Sequence, residues 1–344
     1  MLPRERVFAA LEFRPPDKMP LKIFAAPGGL HEHGRKLAGL IRSCGHDFGD
    51  FANLALPEPP RPEDYDADAR YHAFRTDGWG TTWEYRIFGV WGHPVAWPLD
   101  DLSRLDAYKA PPPPCASGPE FDSARAAAKK HKERYYLLEC GGSIFEKMHS
   151  VRRFEDVLVD ITHDRREINR LADLIVENVE GFVRRALALG ADGVSFSDDF
   201  GTQTGPLLSP EVWRRFFRPR YKALFEPILR SGRHIFFHSC GCIEWLLEEL
   251  RDLGVNVIWP QLSLFDTWEF RRHCRELGLV VEIHPDRGEL MQQRTPAEVR
   301  ASVRKMVETF EATTGGSWLY IEIDPGFPWP NVEALLETAM ELRR

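Results

Sequence analysis

The sequence predicts an α/β fold, a single (β/α)8 TIM-type barrel with an irregular N-terminal region. From about residue 121, short apolar runs rich in β-branched and aromatic residues alternate with longer segments of helical periodicity. This alternation is typical of a parallel sheet with helical crossovers. Polar residues follow the carboxyl ends of the runs, which is where a barrel carries its chemistry. We therefore expect one domain over 1–344, irregular over 1–120 and regular over 121–344, with an open doubly wound sheet as the alternative.

The individual elements follow from these patterns. Predicted strands lie at 19–24, 135–139, 193–197, 234–238, 255–259, 279–283 and 318–323, and predicted helices at 3–13, 153–188, 209–230, 243–253, 266–277, 295–312 and 331–343. Ser209-Pro210 and Thr295-Pro296 each place a capping residue before a proline at the first helical position. A further strand before residue 121 would bring the total close to the eight of a closed barrel.

The first third of the chain is expected to form long loops and a few short strands. Gly28-Gly29, the stretch 56–62 and the prolines at 111–114 interrupt it repeatedly. Four tryptophans are expected to pack among these loops: Trp79, Trp83, Trp91 and Trp97.

Composition restricts the partners. The net charge is −7 and the basic residues are interspersed with acidic ones, so nucleic acid is not expected as a partner. No apolar run approaches the roughly 20 residues of a membrane helix, and a cytoplasmic location is expected. The six cysteines are expected to be reduced thiols: Cys44, Cys115, Cys140, Cys240, Cys242 and Cys274.

The sharpest local feature is His238-Ser-Cys240-Gly at the end of a predicted strand. Residues two apart in an extended segment face the same side, so the imidazole and the thiol can point to one place. This donor pair suits zinc, which needs about three protein ligands at a catalytic site. Candidates for the third ligand are Glu322, Glu282, His284 and Cys242. Alternatively, His238 is a hydrogen-bonded polar residue and Cys240 a small buried one.

Two adjacent carboxylates, Asp198 and Asp199, follow another predicted strand. Neighbouring residues of a strand point to opposite sides, so only one of them is expected to face the barrel mouth. The other is expected to cap the loop or to pair with an arginine. The carboxylate at the mouth can serve as a general acid or bind a polar group of the substrate.

Several segments, taken together and in order, resemble the uroporphyrinogen decarboxylase superfamily. They are Arg6-Val-Phe-Ala-Ala-Leu, Pro16-Asp-Lys-Met-Pro20, Asp77-Gly-Trp-Gly80, Asp198-Asp-Phe-Gly-Thr-Gln203, His238-Ser-Cys240-Gly and Pro330-Asn-Val. The resemblance implies a single α/β barrel. The decarboxylases proper clamp their substrate with N-terminal arginines, but the corresponding stretch here, 24–30, contains none, and Asp50 is only a loose counterpart of their aspartate.

The corrinoid-dependent methyltransferases of the same superfamily have a zinc motif of His-x-Cys with a distant downstream Cys. His238 and Cys240 match its first part, and Glu322 lies near the place of the downstream cysteine. The resemblance implies a zinc-dependent methyltransferase that transfers a methyl group between a small substrate or thiol and a corrinoid (methylcobalamin) on a separate carrier protein, with Asp198 or Asp199 orienting the substrate. Lower-ranked residues at the mouth are Glu139, Gln203, Cys242, Glu282 and His284.

The sequence is also compatible with two other functions. One is a cofactor-free decarboxylase of tetrapyrrole biosynthesis, in which Asp198 or Asp50 stabilises positive charge on the substrate. The other is a non-catalytic barrel that binds a tetrapyrrole or corrinoid. An exposed aromatic cluster in the first third would indicate a homodimer.

Overall fold

The computed structural model describes residues 1–344. The strands are β1 (Leu21–Phe24), β2 (Ala73–Thr76), β3 (Thr82–Tyr85), β4 (His93–Ala96), β5 (Leu138–Gly142), β6 (Gly193–Ser197), β7 (His234–Ser239), β8 (Val257–Pro260), β9 (Val280–Ile283) and β10 (Ser317–Glu322). The helices are α1 (Pro3–Leu11), α2 (Pro27–Cys44), α3 (Pro119–Lys132), α4 (Phe145–Val151), α5 (Phe154–Thr162), α6 (Arg166–Leu189), α7 (Pro210–Phe216), α8 (Arg218–Arg230), α9 (Glu244–Asp252), α10 (Thr267–Leu277), α11 (Glu289–Gln293), α12 (Pro296–Thr309) and α13 (Trp329–Leu342).

Seven strands form one parallel sheet in the order β1-β10-β9-β8-β7-β6-β5. Every predicted strand overlaps a strand of this sheet, and the run at 193–197 matches β6 residue for residue. The run at 135–139 begins three residues before β5. Helices follow the strands of the regular part, as expected for right-handed crossovers.

The prediction of eight barrel strands is wrong by one strand. Between β1 and the chain entering β5, the backbone of Asp47 takes the place of a strand: its N–H donates to the Leu21 carbonyl at 2.9 Å, and its carbonyl accepts from the Tyr136 N–H at 3.1 Å. The Asp47 carboxylate also accepts from the Leu21 N–H at 2.7 Å. A single residue of irregular backbone therefore bridges the two edges of the sheet.

Apart from β1, the strands before residue 121 do not join the main sheet. β2, β3 and β4 form a separate antiparallel sheet. The connections between these three strands are short, and short connections pair neighbouring strands in the antiparallel sense, whereas parallel pairing needs a long crossover. Trp83 is buried there as expected, whereas Trp91 is 74% exposed, although its ring centroid lies 5.4 Å from that of Trp83.

Two helices differ from the prediction. The single helix predicted at 153–188 is two helices, α5 and α6, because Asp164 between them has φ of 50°. Helix α2 falls in the part expected to be irregular, where Gly28 and Gly29 suggested a loop. Instead Gly29 lets the helix approach the main sheet, since a Cβ there would lie 2.1 Å from the Ile323 carbonyl oxygen.

The main sheet separates two apolar cores. The larger core consists of sixty-eight buried residues from the helices and the sheet. The smaller core lies on the other face, where Val7 and Ala10 of α1 pack against five residues at or near the strand starts, Tyr136, Phe236, Val257, Val280 and Trp318. Helix α1 thus closes the amino end of the sheet and leaves the carboxyl ends open. None of the helices has both the length and the apolar composition needed to cross a membrane.

A buried carboxylate fixes the entry to β6. Arg4 donates two hydrogen bonds to Asp192 at 2.9 and 2.8 Å, and Lys132 lies 3.1 Å from it. Burial raises the pKa of Asp192, but the hydrogen bonds from Arg4 and the Leu137 N–H outweigh it and hold the pKa below its usual range. Asp192 therefore contributes stability that is present above about pH 4 and is lost as the pH falls through the folded-state value.

We expect Asp192→Asn to lower the free energy of unfolding at pH 7 by about 3 kcal/mol, because it leaves the half-buried Arg4 and Lys132 without their fully buried counter-ion. Below about pH 4 the difference from the wild type should shrink. Urea denaturation at pH 7 and pH 3 measures both. The control is Asp173→Asn, whose carboxylate is 67% exposed beside Arg220 and should change stability by about 1 kcal/mol or less. A difference that stays constant with pH would contradict this account of Asp192.

Candidate metal centre and cavity

The predicted site residues follow two neighbouring strands. β6 and β7 pair in parallel, with Ser197 opposite His238. One further backbone hydrogen bond extends this pairing beyond β6: the Asp198 N–H donates to the His238 carbonyl at 3.1 Å. Since parallel strands end at the same edge of a sheet, the residues after β6 meet those at the end of β7.

Three side chains converge there. The Cys240 sulfur lies 3.4 Å from His238 Nε2, and Asp199 Oδ1 lies 3.5 Å from the same nitrogen. All three donor atoms are within 4.8 Å of one another. The Cys240 N–H also donates to Asp199 Oδ1 at 2.7 Å, which fixes the carboxylate beside the thiol.

Backbone contacts define the protonation of His238. Its Nδ1 lies 2.8 Å from the Trp259 carbonyl, which can only accept, so Nδ1 carries the hydrogen and Nε2 has a free lone pair. The ring also packs on the Trp259 side chain, with the ring centroids 3.7 Å apart. Burial lowers the pKa of His238, although the Asp199 carboxylate opposes this shift. The imidazole is therefore neutral and presents Nε2 to Cys240 and Asp199.

The donor set fits a zinc ion. An imidazole nitrogen, a thiol sulfur and a carboxylate oxygen are all accepted zinc ligands, and three of them leave a fourth position open. The hydrogen bond from Nδ1 to a carbonyl is the arrangement that commonly orients a metal-binding histidine. Burial and the neighbouring Asp199 carboxylate raise the pKa of Cys240 to about 12, so the thiol needs a nearby cation to lose its proton.

Two loops are held together by glycine. The loop after β6 and the loop after β7 touch at Gly201 and Gly241, where a Cβ on Gly241 would lie 2.1 Å from the Gly201 carbonyl carbon. Gly241 has φ of 82°, which side chains rarely adopt. The Cys242 N–H donates to the Thr202 carbonyl at 2.8 Å across the same contact. This close backbone packing keeps Asp199 next to Cys240.

Asp198 points away from the metal centre. Its buried carboxylate accepts from the backbone N–H groups of Ile144 at 2.8 Å and Glu146 at 2.7 Å, and from the hydroxyl of Tyr221. Burial raises the pKa of Asp198 to about 7, while the Tyr221 hydrogen bond opposes the shift. Of the two predicted carboxylates, Asp198 thus holds the start of α4, and Asp199 faces the cluster.

Glu322 does not lie in the cluster. Its carboxylate is 3.2 Å from Arg287, which also pairs with Asp324 at 3.1 Å. Burial raises the pKa of Glu322, and the charge of Arg287 opposes the shift. The structure therefore puts Asp199, and not Glu322, with His238 and Cys240.

The lower-ranked mouth residues have other neighbours. Glu282 is buried and receives two 2.9 Å bonds from Lys22. His284 is buried and stacks on Trp259. The remaining three lie outside the cluster: Gln203 hydrogen-bonds Gln261, Cys242 donates to the Gln203 carbonyl, and Glu139 is a half-buried residue of β5 whose pKa is raised by burial. All six cysteines are free, as predicted.

A cavity of about 390 Å³ opens beside His238 at the carboxyl ends of the strands. Its volume is within the range of roughly 300–1,000 Å³ for small-molecule sites. Its walls contain Lys22, Trp83, Trp91, Cys140, Gly142, Ser143, Glu146, Lys147, Ser150, Ser195, Phe196, Ser197, Phe236, Phe237, His238, Val257, Trp259 and Glu282. Sequence reasoning missed Lys147 and Ser143, since no motif marks them. The position of Ser143 directly after β5 was the available signal, whereas Lys147 lies on α4.

Comparison with known proteins agrees with this architecture. Residues 92–342 match the model of the family described as Uroporphyrinogen decarboxylase (URO-D). A methyltransferase from Methanosarcina mazei has a similar fold, with a TM-score of 0.65 at 13% identity over 99% of both chains. A dihydropteroate synthase from Xanthomonas albilineans aligns more weakly, with a TM-score of 0.34 at 12% identity over 58% of this chain and 65% of that one.

No curated protein matches the sequence significantly. The family match extends over more than two thirds of the chain and includes β6, β7 and the loops after them, which contain Asp199, His238 and Cys240. The chain therefore belongs to the uroporphyrinogen decarboxylase (URO-D) family.

Proposed function

We propose that the protein is a zinc-dependent methyltransferase that moves a methyl group between a small substrate or thiol and a corrinoid on a partner protein. The observation that carries this proposal is the convergence of Asp199, His238 and Cys240, with His238 in the wall of a cavity large enough for a small molecule. Membership of the URO-D family and the fold shared with a Methanosarcina mazei methyltransferase are consistent with it.

The chain prepares this centre through its own contacts. The Trp259 carbonyl holds His238 so that Nε2 is free, and the Cys240 N–H orients Asp199. Bound zinc would lower the pKa of a coordinated thiol or act as a Lewis acid toward the atom that leaves the methyl group. The proton of Cys240 must be lost when the ion binds, which makes metal affinity depend on pH.

The cavity walls suit transfer away from water. Phe196, Phe237 and Trp259 present apolar surface near His238. At the rim, Trp91 is 74% exposed and stands on the segment between β3 and β4. In this proposal the partner with its corrinoid covers that rim.

Cofactor-free decarboxylation has less support. The Asp198 carboxylate is already occupied by Tyr221 and two backbone N–H groups. Asp50 borders a separate cavity of about 600 Å³ and does not line the one beside His238. Asp198 is therefore engaged by other groups and Asp50 lies elsewhere, so neither carboxylate is available to stabilise positive charge on a substrate beside His238.

The test combines metal analysis with methyl transfer. Protein purified under reducing conditions with added zinc should hold about one zinc ion per chain, and His238→Ala and Cys240→Ser should lose it. With methylcobalamin and a small thiol, loss of methylcobalamin absorbance should require the bound zinc. Cys242→Ser is the matched control, because this thiol lies outside the cluster. Absence of zinc, or methyl transfer that persists in Cys240→Ser, would refute the proposal.

A further inference from the structure

One cation in the cavity wall has no counter-ion. Lys147 lies on α4, borders the cavity, and its ammonium makes no hydrogen bond and no ion pair within the chain. It rests 5.0 Å from the centre of the Trp79 ring. The other lysine of the cavity, Lys22, is neutralised by Glu282, with both oxygens at 2.9 Å.

The acidic group next to Lys147 is already engaged. Glu146 lies 3.2 Å from His149, and it also accepts a 3.4 Å hydrogen bond from the Asp199 N–H. Burial lowers the pKa of Lys147, although Asp77 and Glu146 oppose the shift at longer range. A half-buried ammonium in this setting is stabilised by any anion that enters the cavity.

A hydroxyl group borders the same cavity as the ammonium. Ser143 lies between β5 and α4, four residues before Lys147, and both residues line the cavity beside His238. Both also border an adjoining cavity of about 300 Å³, and the Ser143 hydroxyl has no hydrogen bond within the chain. An ammonium and a hydroxyl together can donate to the two oxygens of one carboxylate.

Besides polar residues such as Ser195 and Ser197, the cavity wall has an apolar, aromatic part. It includes Trp83, Trp91, Phe196, Phe237 and Trp259. Aromatic walls favour a flat apolar molecule, which can stack against them or meet them edge to face. The cavity thus combines one free positive charge with an apolar surface.

We propose that Lys147, assisted by Ser143, binds the carboxylate of the small-molecule substrate, and that the substrate is a small acid with a flat apolar body. Lys147 is then the residue that selects acids over neutral analogues. The inference rests on the proposed function only for the reaction that follows binding.

Benzoate and its neutral analogue benzamide are suitable probes. We expect calorimetry on the full chain, both as purified and after chelation, to show benzoate binding about tenfold or more tighter than benzamide, as for a charge-assisted hydrogen bond. Lys147→Gln should abolish this preference, whereas Lys147→Arg should keep it. Lys36→Gln is the matched control, because Lys36 also sits over a tryptophan, 3.8 Å from the Trp329 ring centre, but lies outside the cavity.

Equal affinity for the two probes, no saturable binding of benzoate, or an unchanged preference in Lys147→Gln would overturn the inference. The chelated sample separates this test from the proposed function. A preference for benzoate in a protein that neither binds zinc nor transfers methyl groups would leave Lys147 as an acid-binding residue and refute only the reaction.

Discussion

Asp199→Asn is expected to remove zinc from the protein, whereas Glu322→Gln should leave about one zinc ion per chain. Asparagine keeps the size of the side chain and can still accept the hydrogen bond from the Cys240 N–H. It lacks the negative charge of a carboxylate ligand, and Oδ1 of Asp199 is the oxygen 3.5 Å from His238 Nε2. Mutating a residue that only supports a metal ligand lowers metal affinity by about 10–100-fold. Loss of a direct ligand should lower zinc affinity by more than that.

Glu322→Gln is the matched control, because this carboxylate also stands at the end of a strand of the main sheet but is paired with Arg287. Zinc affinity can be measured by competition with a chromogenic chelator, and the stoichiometry by elemental analysis. If Glu322→Gln lost the metal and Asp199→Asn retained it, the third ligand would be Glu322, as the sequence first indicated.

Asp47→Asn is expected to lower the free energy of unfolding by about 3–5 kcal/mol, which is typical of breaking a buried ion pair from one side. The Asp47 carboxylate is fully buried and contacts both Arg6 and Arg343. Both guanidinium groups are less than one tenth exposed, so water cannot replace the lost charge. The same residue bridges β1 and the chain entering β5, and the sheet edge should open with it.

Asp17→Asn provides the comparison, since Asp17 pairs with the same Arg6 but is 41% exposed. It should cost about 1 kcal/mol or less. Urea denaturation followed by circular dichroism measures both variants, and hydrogen exchange at the Leu21 and Tyr136 amides reports on the sheet edge. Equal destabilisation by the two variants would show that burial of Asp47 is not the source of its effect.

The sequence placed the main strands well because fully buried parallel strands are short apolar runs, which composition reveals directly. It missed the break at Asp164 and helix α2, since the local patterns there are weak and tertiary packing decides. The eighth strand was overcounted because one residue, Asp47, occupies its position, and no periodicity marks a single bridging residue.

For the site, the spacing of His238 and Cys240 was enough to bring them together in the prediction, because alternation along one strand is local. Asp199 was identified as a polar residue of the mouth, but its place beside Cys240 depends on the pairing of β6 with β7. Lys147 could not be identified from strand alternation or strand pairing, because what distinguishes it is the absence of a counter-ion in the folded structure.

The contact between Gly201 and Gly241 has a consequence for how the centre can vary. No side chain separates the two loops there, so the distance between Asp199 and Cys240 is fixed by main chain against main chain and not by a choice of rotamers. One added methyl group at either glycine would separate the donors. The two loops therefore form a single unit, in which the walls of the cavity can change to accept a new substrate while the donor spacing stays constant.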